Sequence, residues 1–437
     1  MGGLIPSRVL LQWLMLLVAA AVAAAIWPDL EPVMVTLAAL LALAALGDAL
    51  VALRMPLLPA RRFVAGSLPL GIWHEVVLRV SNPLRRRARM ELYDHHPDGC
   101  EVRGLPQSMV ILAGGWAEMR YSLRPVARGE RHFGAIGARI ASPLGLWQLR
   151  RMLGGPGSVR VYPNFAALTK YALLATDNRL SQIGILQRRR RGEGLDFRQL
   201  REYRQGDSQR QIDWKATSRM KKLISREYQD ERDQQVMFLI DCGRRMGAKD
   251  GELAHFDHVL NAALLLAYVG LRQGDAVGFL TMSGEQRFLA PRKSPATVNL
   301  MLNRLYDLQP TMLTSDYHAA ATELMLRLRK RSLVVILSNL RDEDDDTLLP
   351  ALALLRSRHL VLFASLREAI LSRALKTRVT SFDRALTHAA AADYLKSREL
   401  AFRRLAHNGA QCLDVEPEQL PVALVNRYLD IKHGGRL

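Results

Sequence analysis

The sequence predicts an α/β protein with a doubly wound, mainly parallel sheet. An antiparallel β-sandwich domain and an N-terminal two-helix transmembrane hairpin precede it. Three observations carry this prediction. Two apolar stretches of spanning length open the chain, short alternating strands follow, and from Val236 onward apolar runs of strand length alternate with helical stretches. Strands buried on both faces read as continuous apolar runs, while half-solvated antiparallel strands alternate, so the two soluble regions separate by pattern.

The expected boundaries are a transmembrane hairpin over 1–62, with spans at about 9–27 and 33–53, and a β-sandwich-like domain over 63–165. A charged linker over 166–235 and an α/β domain over 236–437 complete the chain. Each apolar stretch can cross a core of about 30 Å at about 1.5 Å per residue. The connection between them, Pro28-Asp29-Leu30-Glu31-Pro32, carries only acidic charge, whereas Arg8, Arg54, Arg61 and Arg62 flank the outer ends. The positive-inside rule then puts both termini and the soluble bulk in the cytoplasm. Because a second span follows directly and the first is preceded by little basic charge, an anchor is favoured over a cleaved signal. Asp48, inside the second span, is close enough to its basic end to reach the headgroups.

In the β region, strands are expected at 75–82, 87–96, 117–126 and 132–141, with turns at Arg128-Gly129-Glu130 and Ser142-Pro143-Leu144-Gly145-Leu146-Trp147. His95 and His96 are neighbours on a strand, face opposite sides, and cannot share a metal. In the α/β region, strands are expected at 236–241, 276–282, 333–339, 360–366 and 410–415. Helices are expected near 253–271, 296–308, 317–329, 347–356 and 384–407, with a last one ending near Lys432.

The chain has 437 residues and a net charge of +19, from 61 Lys and Arg against 42 Asp and Glu. A basic excess of this size suits contact with anions. Four consecutive arginines at 188–191 beside Gly192-Glu193-Gly194 read as a solvated linker or as a grip on anionic lipid or nucleic acid. No aromatic residues are interleaved with them and no base-reading motif accompanies them, so nucleic acid is not an expected partner. The three cysteines, Cys100, Cys242 and Cys412, are widely spaced, which argues against a disulfide framework or zinc site and fits a reducing compartment. There is no GxxxxGK[ST], HExxH or GxSxG motif, and Ser283-Gly284 after a strand has no companion triad, so an enzyme is not expected.

The richest stretch runs from Gly192 to Asp241. Arg201, Glu202, Tyr203, Arg204, Gly206, Asp207, Arg210, Asp213, Trp214, Lys215 and Arg219 are followed by an apolar run that stops at Asp241. Three roles fit the charged part. It could be a buried ion-pair and stacking clamp between domains, an exposed protein-recognition site, or a set of catalytic carboxylates (Glu202, Asp207, Asp213). The order Leu-Arg-Glu-Tyr, Gly-Asp, Arg-x-Ile-Asp-Trp-Lys, Arg, strand, Asp resembles the family called domain of unknown function 58. The resemblance implies a bacterial inner-membrane protein linked to the cell envelope, with a MoxR-type AAA+ ATPase as partner.

The strand–helix alternation with Asp241 ending its first strand is similar to a von Willebrand factor A domain. That resemblance implies a divalent-cation site built from a first-strand Asp-x-Ser-x-Ser, a second-loop hydroxyl and a later carboxylate. Here the corresponding residues are Asp241, Gly243, Arg245, Thr314 or Ser315 for the second-loop hydroxyl, and Asn339, a degenerate set for a hard cation, with Asp342 nearby. No bound Mg²⁺ and no other cofactor is expected, and Arg245 is expected to pair with Asp241 in the cation's place. The leading functional reading is a non-enzymatic, membrane-anchored adaptor that docks a protein partner. The alternatives are a tethered electrostatic binder of nucleic acid or anionic lipid and, less favoured, a carboxylate-dependent hydrolase.

Overall fold

A computed structural model describes residues 3–163, 196–204, 209, 212–229 and 234–434. The chain divides into two compact units, Met1–Tyr162 and Pro163–Leu437.

The first unit opens with a short strand β1 (Leu4–Pro6), then helix α1 (Arg8–Ile26) and helix α2 (Glu31–Leu53), joined by a single 3-10 turn. The Ser7 hydroxyl caps α1 by accepting from the Leu10 amide. Both helices are long and apolar enough to cross a membrane, and most of their large apolar side chains are exposed.

Eleven strands follow: β2 (Ala60–Phe63), β3 (Ser67–Pro69), β4 (His74–Ser81), β5 (Ala88–Asp94), β6 (Cys100–Arg103), β7 (Gln107–Ile111), β8 (Trp116–Pro125), β9 (Gly129–Phe133), β10 (Ile136–Ala141), β11 (Trp147–Gly154) and β12 (Gly157–Tyr162). They form sheets in the orders β2-β4-β8-β6, β1-β11-β10-β5-β7 and β3-β12-β9, antiparallel except for the β3–β12 pair. One buried cluster, including Val76, Leu78, Met90, Tyr121, Phe133 and Ile140, draws on all three sheets. The alternating inward residues of each strand meet there, which is why the period-2 pattern was readable.

Two features differ from the sequence expectation. The single strand expected at 132–141 is two strands, β9 and β10, in different sheets. The chain breaks at Gly134, whose amide donates to the His95 carbonyl at 2.7 Å. A Cβ at Gly134 would lie 2.8 Å from that of His95, so the crossing needs glycine. The hairpin is also not separate from the β region. Strand β1 pairs with β11, and Asp48 in α2 accepts hydrogen bonds from the Ser142 hydroxyl at 2.5 Å and the Leu144 and Leu146 amides at 2.9 and 3.1 Å. The Trp147 indole donates to the Ala45 carbonyl at 2.8 Å, and Arg151 donates to the Leu53 and Met55 carbonyls. Asp48 is thus buried against protein rather than turned to headgroups.

In the second unit, β13 (Asp196–Glu202) and β14 (Ile224–Gln229) form a two-stranded antiparallel sheet, with helix α3 (Trp214–Met220) between them in sequence. Then come β15 (Gln235–Asp241), the short pair β16 (Lys249–Asp250) and β17 (Leu253–Ala254), α4 (His255–Arg272), β18 (Ala276–Met282), β19 (Phe288–Arg292), α5 (Thr297–Leu305) and α6 (Tyr317–Arg327). The chain ends with β20 (Leu333–Ser338), α7 (Asp345–Arg356), β21 (Leu360–Leu366), α8 (Ala369–Lys376), α9 (Phe382–His407), β22 (Gln411–Val415) and α10 (Leu420–His433). The main sheet has the order β19-β18-β15-β20-β21-β22, parallel except for the edge strand β19. Strands β15, β18 and β20 are fully apolar and buried over most of their length, as expected of parallel strands covered on both faces. The order reverses at β15, which lies between β18 and β20, so a crevice is expected beyond its carboxyl end, where Asp241 stands.

Candidate partner-docking site

Asp241 is buried, and both of its carboxylate oxygens accept hydrogen bonds. Its Oδ1 accepts from the Gly243 amide at 2.8 Å, and its Oδ2 from the hydroxyls of Ser315 at 2.7 Å and Ser338 at 2.6 Å. Since Ser338 spends its one proton on the carboxylate, the Tyr317 hydroxyl at 2.7 Å must be the donor to Ser338. Burial and the nearby Asp241 charge push the Tyr317 phenol well above its ordinary range, so it keeps that proton. Ser338 was missed in the sequence because the reading fell on its neighbour Asn339. The signal available was its position, the last residue of an apolar strand paired to β15.

Asn339 faces a different network. Its Nδ2 donates to Glu368 at 2.9 Å and its Oδ1 accepts from Arg398 at 3.1 Å. The almost wholly buried Arg398 also donates to Ser365, the Leu340 and Leu366 carbonyls, and Asp414. Arg245 pairs with Asp344 at 2.5 Å and with Glu343, which corrects the expected Arg245–Asp241 pair. Burial raises the Asp344 carboxyl, and the Arg245 fork opposes that rise.

These contacts bear on a cation. Both Asp241 oxygens are occupied by donors, Asn339 is held by Arg398 and Glu368, and Gly243 has no room for a hydroxyl. A Cβ there would lie 2.9 Å from the Ser315 hydroxyl and 3.0 Å from the Leu313 carbonyl. Among the described residues no three His, Cys, Asp or Glu side chains converge. The donor set does not fit a hard divalent cation, which wants six or more free oxygen ligands.

The crevice rim is a pinned loop. The Arg244 amide donates to the Leu313 carbonyl at 3.0 Å, the Thr311 amide to the Cys242 carbonyl at 2.7 Å, and Ser315 is tied to Asp241. On this fixed backbone Met312 is 89% and Leu313 60% exposed. Across the crevice Ser283 adopts a left-handed φ of 66°, and its buried hydroxyl has no partner among the described residues, so no base activates it.

The signature residues are distributed as follows. Gly206, Asp207 and Arg210 lie outside the described residues, as do the arginines at 188–191. Asp213 caps α3 by accepting from the Ala216 amide at 3.0 Å and pairs with Arg226 at 2.9 Å. The amide and Arg226 hold its carboxyl below the usual range, so it stays ionised and cannot serve as a proton donor near neutrality. Glu202 is exposed and pairs with Lys222 at 2.8 Å, which also lowers its carboxyl. Trp214 is 66% exposed, and Lys215, Arg219 and Arg204 are exposed as well, while Arg201 and Tyr203 are half-buried.

Fold and site together define a mixed α/β chain with two N-terminal apolar helices and a sheet-edge crevice closed by hydrogen bonds. The model of the family described as Protein of unknown function DUF58 matches residues 199–384 of this chain, which supports the resemblance carried by the charged signature. No curated protein sequence matches the chain. Among solved structures, Salmonella alpha-2-macroglobulin reacted with methylamine is 18% identical over 24% of this chain, with a TM-score of 0.19, and the match spans only 7% of that protein. An aerotolerance-related membrane protein from Bacteroides fragilis is 14% identical, covering 45% of this chain and 98% of that one, with a TM-score of 0.29. Proximal thread matrix protein 1 from the mussel byssus is 10% identical, covering 45% and 46%, with a TM-score of 0.28. TM-scores this low assign neither fold nor role.

Proposed function

We propose that this protein is a non-enzymatic, membrane-anchored adaptor whose second unit docks a protein partner. On this reading α1 and α2 span a bacterial inner membrane with both termini cytoplasmic, β2–β12 form a sandwich, and the second unit is von Willebrand factor A-like. The partner is a MoxR-type AAA+ ATPase, as the family resemblance implies. One observation carries the docking reading: Met312 and Leu313 are exposed on a loop whose backbone is fastened to the carboxyl end of β15. Apolar side chains held rigid at a sheet-edge crevice cost little entropy to dock, and Met is a frequent interface residue. Exposed Trp214 supplies a second anchor of hot-spot type. Among the described residues the crevice shows no free nucleophile–base pair, and Asp344, whose carboxyl burial raises, is held by Arg245.

The test uses the full-length protein in detergent with a purified MoxR-type ATPase from the same cell. Binding by the wild type, weakened at least tenfold in Met312→Ser/Leu313→Ser, is the expected result. No binding by the wild type overturns the partner assignment. Equal binding by the variant moves the contact away from the crevice rim.

A further inference from the structure

The first unit holds a cleft of about 360 Å³ between the turn before β5 and the turn after β10. Its lining is of two kinds. Arg86, Arg87 and Arg89 contribute cationic lining, and Met55, Pro143 and Leu144 apolar lining. None of the three arginines pairs with a carboxylate among the described residues. On the same sheets Arg79, Arg120 and Arg139 all do, with Glu118, Glu75 and Glu91. The backbone carrying the arginines is fixed by buried Asn82, whose Nδ2 donates to the Arg86, Ile111 and Leu112 carbonyls and whose Oδ1 accepts from the Leu84 amide. Three guanidinium groups without a carboxylate partner among the described residues, two on this pinned turn and one at the start of β5, make a site for an oxyanion, since their forks match phosphate geometry.

Position selects the kind of phosphate. Met55 lies two residues beyond the end of α2, and the Leu144 amide is bonded to Asp48 inside that helix. Leu144 itself is 63% exposed. The cleft therefore opens beside the last turns of a helix apolar enough to cross a membrane, with apolar as well as cationic lining. No aromatic ring lines it, so it offers nothing for base stacking.

We infer that this cleft binds the phosphate headgroup of an anionic phospholipid, with the acyl chains lying along Pro143 and Leu144. The inference rests on the reading that α2 spans a bilayer. Headgroup binding here would fix the depth and tilt of the first unit against the membrane surface.

The full-length protein in neutral detergent micelles is titrated with fluorescent phosphatidylglycerol and phosphatidylcholine, and inorganic phosphate is the competitor. Phosphatidylglycerol should bind at least tenfold tighter than phosphatidylcholine. Each arginine near an anionic surface contributes about fivefold, so Arg86→Gln/Arg87→Gln/Arg89→Gln should weaken binding by about a hundredfold. Arg89→Gln alone should cost about fivefold, which keeps the test valid if the triple variant misfolds. Leu144→Ser should weaken lipid binding while leaving phosphate competition unchanged. Equal affinity for the two lipids, or arginine variants that bind as the wild type does, overturns the site. Displacement by millimolar inorganic phosphate, indifferent to Leu144→Ser, makes it a small-anion site and overturns the lipid assignment. Carbonate washing of native membranes reports on the spanning reading separately: release of the wild type sinks that reading while the micelle titration still judges the cleft.

Discussion

Asp48 in the first unit and Asp241 in the second are both buried carboxylates at the end of apolar elements, and both are satisfied by hydroxyl and amide donors alone. Buried Asp94 follows another rule, accepting from Arg62 at 2.5 and 2.8 Å and from the Tyr121 hydroxyl at 2.7 Å. The instructive difference is where the donors come from. Those of Asp48 belong to one turn, from Ser142 to Leu146, whereas those of Asp241 come from three separate segments at Gly243, Ser315 and Ser338. Asp48 secures a turn, and Asp241 holds together the edge of a sheet.

That contrast sets an order of effects. Asp241→Ala leaves donors on three segments unmatched inside the second unit and should cost about 3–5 kcal/mol. Asp48→Ala frees donors on a single, partly exposed turn and should cost about 2–3 kcal/mol. Denaturant midpoints of the detergent-solubilised protein measure both. Hydrogen exchange should quicken at 311–315 in the first variant and only at 142–147 in the second, and equal, diffuse exchange in both would break the comparison.

Gly243→Ala sharpens it by keeping every Asp241 partner while pushing a methyl toward Ser315 and the Leu313 carbonyl. An overpacking cost of about 1–2 kcal/mol is expected, with loosening confined to the same loop.

The smallest effect concerns a buried group whose ring nitrogen lacks a partner. Burial, aided by the nearby His255 and opposed by Asp257, Glu418 and Asp250, lowers the His258 imidazole below its ordinary 6.5, and its Nε2 has no hydrogen bond among the described residues. The folded state therefore binds its proton less readily than the unfolded state. This histidine costs no stability above about pH 6.5, and stability is lost as pH falls through the lower folded value. The second unit's midpoint should drop between pH 7.5 and 5.5, and His258→Gln should flatten the drop. Buried His359, lowered for the same reason, retains part of it.

What the sequence revealed follows the same division between local and distant. The parallel strands were legible because burial on both faces leaves a continuous apolar signature, as in the run from Val236 to Ile240. The apolar helices were legible by length. Edge strand β19, Phe288–Arg292, was not, because its half-buried pattern resembles a loop. Strand β1 is three residues long, too short for any period to register. Asp48 drew attention as a charge in an apolar helix, but its donors lie 94 to 98 residues away and no local rule joins them. Asp241 was recognised from its place at the end of a strand, yet Arg245 turned to Asp344 and Glu343 because Asp241 was already satisfied. Trp214 shows the converse: its type suggested an anchor, but only the packing around α3 decides whether its ring is covered.

The pairing of β1 with β11 also has a consequence in time. Leu4 is opposite Leu149, so β1 waits for a partner made 145 residues later. At translation rates of about 5–20 residues per second, that is a delay of about 7–30 s. Both apolar helices are complete by Leu53, so for roughly the last two thirds of that interval they are already synthesised. The first unit's five-stranded sheet is therefore completed only after the two helices apolar enough to cross a membrane have been made.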